Sequence, residues 1–321
     1  MKCIRLSTSN KSFDTRINSM NFMDKKKSII CVGGTSRSGS TLVGLVLAND
    51  PNAMALGEIQ ALFHPTRKHH FEKIAELQGD KVWSIILKEG KKRLYSNLSK
   101  YFPDINVFVD TSKDPFWFQY HYHYNCKRYK IFNLLIYKTP EELAHSFIKR
   151  NQGANWARVY KHYHKKYFGL INNFIAISYN ELVSNDDALI SLCDKLELRY
   201  FDTKKNYWEK EQVNFFGSNS VKSETGYRSD RQLDQFTRKE IACENIKDIV
   251  ASEQAGIMKN HDEAINLIMR ELENHSVMKN EVSRGADIKY GYWAIKYVYL
   301  KQIIKQYLRY FSPQDYFKAN D

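Results

Sequence analysis

Residues 33–41, Gly-Gly-Thr-Ser-Arg-Ser-Gly-Ser-Thr, carry the glycine and hydroxyl spacing of a phosphate-binding loop. The common pattern is G-x-x-x-x-G-K-[ST], in which the Lys reaches the outer phosphates of a nucleoside triphosphate. Gly34, Gly39 and Thr41 match this pattern, but Ser40 stands in place of the Lys. Backbone N–H groups at a helix N-terminus can still bind one phosphate. The loop therefore favours a nucleotide that carries a single 5′-phosphate.

Seven consecutive residues of this loop are candidate phosphate ligands. An apolar run precedes them and a helical pattern follows them, which is the strand–loop–helix context that a phosphate loop requires. Arg37 lies at the tip of the loop, where its guanidinium can hold a further anionic group on the same phosphate. The candidates are Thr35, Ser36, Arg37, Ser38, Gly39, Ser40 and Thr41.

Two acidic residues stand where other apolar runs end. Glu58 follows Gly57, and Asp110 ends the run 105–110. Taken alone, a carboxylate such as Glu58 is more often a solvated turn residue than a catalytic group. Asp110 could be a Mg²⁺ ligand of an NTPase, although the missing loop Lys disfavours that chemistry. The histidine-rich segment 121–126 lacks the spacing of a metal site, and we expect no bound metal.

Five apolar runs alternate with helical patterns, which predicts a parallel α/β sheet with helices on both faces. Thr139, Pro140 and two Glu form a strong helix start. We expect strands within 28–34, 53–58, 105–110, 130–137 and 173–183. We expect helices within 40–50, 70–100, 139–150, 231–280 and 290–311.

The composition suits an intracellular protein that binds anions. The chain has 321 residues, 43% of them hydrophobic, with a formal net charge of +13. Such a charge attracts nucleotides, acidic substrates, nucleic acid or anionic membranes without choosing among them. The five cysteines are odd in number and scattered, which argues against a disulfide framework. Because we find neither a secretory signal nor a spanning segment, we expect a cytoplasmic location.

The motifs resemble those of the sulfotransferases that use 3′-phosphoadenosine 5′-phosphosulfate (PAPS). The family's loop typically reads R-S-G-[ST]-[ST], and residues 37–41 fit it. Further segments follow in the family's order across residues 28–240, each at a strand end or a helix start. They are ALGE (55–58), DTSKDPF (110–116), IYKTPEELAHSFIKR (136–150), ISYNELV (177–183) and, more weakly, GSNSVKSETGYRSD (217–230).

The resemblance implies a role for each matched residue. Glu58 would be the general base, as in carbohydrate, tyrosylprotein and bacterial members, while Lys113 and Arg37 would contact the transferred sulfate. The implied ligands of the rest of the nucleotide are Lys138, Ser146, Tyr179 and Lys222. Lys138 and Lys222 replace the arginines that are usual in the family, so the positive charge is kept without the bidentate fork.

Taken together, these inferences predict a PAPS-dependent sulfotransferase with a P-loop-like, three-layer α/β/α fold. The acceptor would be a hydroxyl or amine of a small molecule, glycan or lipid, and the nucleotide product would be 3′-phosphoadenosine 5′-phosphate (PAP). We expect a disordered extension at 1–27, a catalytic domain at 28–275 and a helical extension at 276–321. We expect no nucleic-acid partner, and the sequence leaves open whether the protein forms a homodimer. The alternatives are a nucleotide kinase or NTPase and a nucleic-acid-binding module.

Overall fold

A five-stranded parallel sheet forms the centre of the protein. The computed structural model describes residues 26–148, 155–217 and 263–279, together with Tyr297 and Leu300. The strand order across the sheet is β2-β3-β1-β4-β5. The strands are β1 (Ser28–Gly33), β2 (Ala53–Gly57), β3 (Val107–Asp110), β4 (Lys130–Tyr137) and β5 (Ile175–Ser178). All five predicted strands are confirmed within the predicted segments, and the fifth segment, 173–183, also contains the predicted helix start at Tyr179.

The sheet is covered by helices on both faces, as its continuous apolar strands require. Successive side chains point to opposite faces, so Ile29 and Cys31 enter one core cluster while Ile30 and Val32 enter the other. Helices α1, α9 and α10 supply the second cluster, and the remaining helices supply the first. The predicted three-layer α/β/α architecture is therefore confirmed.

Eleven helices are seen in the part of the chain that the structure describes. Short 3₁₀ turns at 91–93, 202–205 and 207–209 join some of them. The helices are α1 (Ser40–Leu47), α2 (Gln60–Phe63), α3 (Lys68–Gln78), α4 (Lys81–Glu89), α5 (Leu94–Tyr101), α6 (Pro115–Asn125), α7 (Pro140–Ile148), α8 (Trp156–Leu170), α9 (Tyr179–Ser184), α10 (Asp186–Lys195) and α11 (Glu263–Asn274).

The single helix expected across 70–100 is instead three helices, α3 to α5. The first helix ends at Gln78 with Gly79 as its C-cap, and Asp80 begins the second, because its carboxylate accepts hydrogen bonds from the N–H groups of Val82 and Trp83. Gly90 ends the second helix with a φ of 78°, a conformation that suits glycine. The apolar periodicity continued through both breaks and concealed them.

The order of the strands creates a crevice at the carboxyl end of the sheet. The chain leaves β1 toward β2 on one side, and leaves β4 toward β5 on the other. Neighbouring strands whose connections diverge in this way leave a gap in which open α/β sheets bind ligands. The loop after β1 and the start of α7 border this gap.

The expectations for 1–25, 218–262 and most of 280–321 lie outside the described residues, and the predicted domain limits stay predictions. Within the described part, α11 is followed by a short segment that pairs with β5. The N–H of Ala176 donates to the carbonyl of His275 at 2.7 Å, and the N–H of Val277 donates to the carbonyl of Ala176 at 2.8 Å. Val277 is fully buried, so this segment belongs to the core.

Candidate functional site

The phosphate loop connects β1 to α1 through an unusual backbone path. Arg37 has a φ of 72°, and Gly39 has a φ of 100°. A β-carbon at Gly39 would lie 2.5 Å from the ring of Tyr179, so the ring requires a glycine there. The hydroxyl of Ser38 is fully buried and has no hydrogen-bond partner among the described residues. Because an unpartnered buried hydroxyl is costly, the Ser38 hydroxyl is a candidate hydrogen-bond donor to a bound group.

Lys138 and its neighbours line the opposite side of the crevice. The ammonium of Lys138 donates to the hydroxyl of Ser146 at 3.2 Å and lies 4.6 Å from the centre of the Tyr179 ring. Tyr179 in turn packs on Gly39, which joins this cluster to the phosphate loop. We call the loop 34–41 with Lys138, Ser146 and Tyr179 the β1–β4 crevice.

The start of α7 fixes the position of Lys138. The N–H of Thr139 donates to the carboxylate of Glu142 at 2.9 Å, and the N–H of Glu142 donates to the hydroxyl of Thr139 at 3.3 Å. These reciprocal bonds form a capping box. Burial raises the pKa of the Glu142 carboxyl, which the Thr139 N–H and the nearby Lys138 partly offset.

Glu58 and Lys113 meet at the carboxyl ends of β2 and β3. The ammonium of Lys113 donates to Oε1 of Glu58 at 2.6 Å, and both side chains are about one quarter exposed. Lys113 has a φ of 66°, so it shares with Arg37 a left-handed backbone that is unusual for such residues. The strands bring together residues that are 55 positions apart in the sequence.

The residues around Lys113 hold this pair in place. Asp114 caps α6, which has Pro115 in its first turn, and it also accepts hydrogen bonds from Gln60 at 2.9 Å and from Lys166 at 2.7 Å. The N–H of Gln60 donates to the hydroxyl of Ser112 at 3.1 Å. These contacts tie the end of β2 to the end of β3. We call this region, with Glu58, Lys113 and the helices α2 to α6, the β2–β3 edge.

Asp110 is a buried structural carboxylate. It accepts hydrogen bonds from the N–H of Ser112 at 2.8 Å, the hydroxyl of Tyr95 at 2.8 Å and the indole of Trp117 at 2.7 Å. Burial raises the pKa of this carboxyl despite these donors. Protein groups thus engage both of its oxygens, and Asp110 anchors the loop that carries Lys113.

A short segment after the last 3₁₀ turn reaches from the β2–β3 edge to the β1–β4 crevice. The N–H of Glu58 donates to the carbonyl of Phe215 at 2.7 Å. Gly217, two residues later, passes so close to Thr41 that a β-carbon would lie 2.7 Å from the Thr41 hydroxyl. Lys222, which the sequence assigns to the nucleotide, lies outside the described residues.

His70 lies close enough to Glu58 to interact electrostatically with its carboxylate, and the sequence gave no local signal for this residue. Its Nδ1 accepts a hydrogen bond from the N–H of Thr66 at 3.1 Å, and its ring lies 4.6 Å from that of Phe216. Burial lowers the pKa of His70 to about 4, which the carboxylate of Glu58 partly opposes. His70 is therefore neutral at physiological pH.

A second group of basic and aromatic side chains lies beside α2. The ammonium of Lys91 lies 3.1 Å from Nε2 of His64 and 4.9 Å from the ring centre of Tyr120. His121 packs against Trp117 with ring centres 4.1 Å apart. Burial lowers the pKa of Lys91 to about 8, that of His64 to about 4 and that of His121 to about 3. Both histidines are therefore neutral at pH 7.

The predicted site residues fall into two adjoining sets at one end of the sheet. The loop residues 35–41, Lys138, Ser146 and Tyr179 line the β1–β4 crevice, whereas Glu58 and Lys113 form an ion pair at the β2–β3 edge. Within the described residues, no group of three or more His, Cys, Asp or Glu side chains is arranged to hold a metal ion. The same part of the chain contains no helix that is both long enough and apolar enough to cross a bilayer.

Two solved structures that resemble the chain are sulfotransferase domains. The sulfotransferase domain from the Synechococcus PCC 7002 olefin synthase has a TM-score of 0.47 and 14% identity, over 60% of this chain and 81% of that one. The sulfotransferase domain from the curacin biosynthetic pathway has a TM-score of 0.44 and 13% identity, over 58% and 79%. No protein-family model matches the sequence, and no curated protein does.

Proposed function

We propose that the protein is a sulfotransferase that moves a sulfuryl group from PAPS to a hydroxyl or amine of a small molecule, glycan or lipid. The observation that carries the proposal is the 2.6 Å pair of Glu58 and Lys113 beside a phosphate loop without a Lys. The buried, unpartnered hydroxyl of Ser38 supports the assignment of that loop to a bound phosphate. An acid–base pair next to an anion site is what in-line transfer of a charged group needs.

The β1–β4 crevice would hold the nucleotide. The N–H groups at the start of α1 and the hydroxyls of Ser38, Ser40 and Thr41 suit one phosphate. Lys138 and Ser146 would hold the separate 3′-phosphate, because an ammonium and a hydroxyl 3.2 Å apart can donate to the same group of oxygens. PAPS carries a phosphate at each of these two positions, whereas a nucleoside triphosphate carries its charge along one chain.

Glu58, Lys113 and Arg37 would carry out the transfer. Glu58 accepts the proton of the acceptor hydroxyl while the acceptor oxygen forms a bond to sulfur. The bond between sulfur and the bridging oxygen of the 5′-phosphate breaks, and its electron pair stays on that oxygen. Lys113 donates to this oxygen, since its ammonium has three N–H groups and can serve both Glu58 and the leaving phosphate. Arg37 stabilises the sulfate oxygens, and Glu58 passes its proton to solvent.

The β2–β3 edge would receive the acceptor. Glu58 faces this region from the end of β2, and neutral His70 stands beside it. The partly exposed ring of Phe216 provides apolar surface, and the partly exposed Lys91 adds a positive charge. Such a mixture favours an acceptor that has both an apolar or sugar-like face and a polar group.

Calorimetric titration of the full-length protein with PAP, adenosine 5′-phosphate and ATP tests the nucleotide assignment. We expect PAP to bind at least tenfold more tightly than adenosine 5′-phosphate, because the second compound lacks the 3′-phosphate and forfeits charge-assisted hydrogen bonds of about 1.5–3 kcal/mol. ATP should bind less well than PAP. Lys166→Ala, which removes a cation from outside the crevice, is the matched control and should keep this preference. Equal affinities for PAP and adenosine 5′-phosphate would refute the 3′-phosphate site.

A further inference from the structure

Tyr163 joins the two halves of the site through a single hydroxyl group. The N–H of Gly34, the first residue of the phosphate loop, donates to the Tyr163 oxygen at 2.7 Å. The same hydroxyl donates its proton to the backbone carbonyl of Lys113, also at 2.7 Å. The sequence links these three positions in no visible way, because they lie in the loop after β1, in the loop after β3 and on α8.

Lys113, one of the two partners of Tyr163, stands at a strained point of the backbone, because its φ is 66°. The other partner, Gly34, has a φ of 154°, which glycine adopts without strain. A left-handed conformation at a residue with a side chain persists only where its surroundings impose it. The Tyr163 hydroxyl supplies such a restraint at the carbonyl of Lys113, and it also satisfies an N–H at the entrance of the phosphate loop.

Helix α8 presents Tyr163 as part of a rigid surface. The side chain of Lys166, three residues later, reaches Asp114 at 2.7 Å, so one helix contacts two successive residues of the Lys113 loop. Burial raises the pKa of the Tyr163 phenol, which keeps its proton in place. With its proton in place, the hydroxyl can act as donor to Lys113 and as acceptor from Gly34.

We propose that Tyr163 is a positioning residue that sets the distance between the phosphate loop and the ammonium of Lys113. Its own atoms need not touch the nucleotide or the acceptor, and it acts through the two backbones that it joins. That Tyr163 holds the two loops together follows from its two hydrogen bonds. That this affects sulfuryl transfer rests on the proposed function.

Tyr167 provides a matched control on the same helix. Its ring packs against Gly33, one residue before the loop, and its centre lies 6.0 Å from that of Tyr163. The Tyr167 hydroxyl is buried and has no hydrogen-bond partner in the described part of the chain. Tyr167→Phe thus removes a tyrosine hydroxyl next to the same loop without removing a bond, whereas Tyr163→Phe removes both bonds and keeps the ring.

Amide hydrogen exchange on the full-length protein tests the placement. We expect Tyr163→Phe to speed exchange about tenfold or more in the segments 33–41 and 110–115, since a lost hydrogen bond costs on the order of 1.4 kcal/mol, or tenfold. Tyr167→Phe should leave both segments unchanged. Equal exchange in Tyr163→Phe and wild type, or equal acceleration in both variants, would overturn the proposal.

Two further measurements keep the proposal falsifiable. In the wild type, the Gly34 amide should exchange as slowly as the amides within β1, and rapid exchange there would refute the bond even if Tyr163→Phe failed to fold. In the transfer reaction, Tyr163→Phe should lower kcat and weaken PAP binding, each about tenfold, while Tyr167→Phe changes neither. If the wild type binds no PAP, the sulfotransferase proposal fails, and the exchange data still decide the role of Tyr163.

Discussion

The β1–β4 crevice and the β2–β3 edge lie side by side but are built in different ways. The crevice takes its residues from the starts of three helices, and its contacts are to cations, hydroxyls and backbone N–H groups. The edge takes its residues from five helices and two strands, and it combines the Glu58–Lys113 ion pair with neutral histidines and aromatic rings. A phosphate site depends on short motifs that recur in many proteins, while an acceptor site depends on packing that is particular to one chain.

Glu58→Gln should separate the two regions most strongly. The substitution keeps the size of the side chain and an oxygen that can accept from Lys113, but it cannot take a proton from the acceptor. Loss of a general base typically lowers the rate about 10²–10⁴-fold. We expect kcat with an aliphatic alcohol acceptor to fall by that factor and PAP affinity to stay unchanged. Steady-state kinetics and calorimetry on the same preparation measure both.

Lys113→Ala is the companion to Glu58→Gln, because the two side chains form one ion pair. It should lower kcat and also weaken PAP binding, since we propose that the ammonium donates to the 5′-phosphate as well as to Glu58. Near-normal turnover of Glu58→Gln would mean that another group takes the proton, and neutral His70 would be the first to test. A large loss of PAP affinity in Glu58→Gln would instead assign Glu58 to the nucleotide.

Substitution of Lys138 should affect nucleotide binding in the crevice and leave the chemical step unchanged. Lys138→Ala removes a charge-assisted hydrogen bond to the 3′-phosphate, which is worth about 1.5–3 kcal/mol, so the KM for PAPS should rise roughly 10- to 100-fold with kcat unchanged. Lys138→Arg should keep or tighten binding, because a guanidinium can bind phosphate with two parallel bonds. A lower kcat with an unchanged KM would move Lys138 into the chemical step.

The difference between the two regions also explains which parts of the fold and of the candidate site could be predicted from the sequence. The five strands, the helix starts at Ser40, Pro140 and Tyr179, and the pair of Lys138 and Ser146 all follow from local patterns. Parallel strands bring their carboxyl ends to one edge, so even the meeting of Glu58 with Lys113 could be anticipated. The roles of these residues in binding and catalysis stay predictions.

The parts that could not be predicted depend on contacts between distant segments. Tyr163 is one of 21 tyrosines, and nothing in its neighbourhood distinguishes it from Tyr160 or Tyr167. His70 becomes notable only because α3 packs it beside Glu58 and Phe216. The breaks at Asp80 and Gly90 were hidden because the apolar spacing continued across them.

Buried histidines give the β2–β3 edge a sensitivity to acid that the crevice lacks. The crevice contains no histidine, whereas His64, His70 and His121 at the edge all have lowered pKa values. Burial is the largest cause for each. His121 is the extreme case: it is 1% exposed, its Nε2 has no partner among the described residues, and Lys91 and His64 disfavour a further positive charge.

We therefore expect the protein to lose stability below pH 6.5, with His121 as a measurable contributor. The folded state holds the pKa of His121 at about 3, and the unfolded value is 6.5, so between these values the unfolded chain binds more protons. As the pH is lowered, the free energy of unfolding then falls by up to about 1.4 kcal/mol per pH unit for this one group.

Urea unfolding of wild type and His121→Gln between pH 7 and 5 measures the slope of the free energy of unfolding against pH, which should be shallower in the variant. His162→Gln, which removes an exposed histidine, is the control and should keep the wild-type slope. Exchange at pH 5 should also accelerate in α5 and α6 before it does in β1 and α1. Parallel slopes for wild type and His121→Gln, or loosening that begins at the phosphate loop, would show that the acid sensitivity arises elsewhere in the molecule.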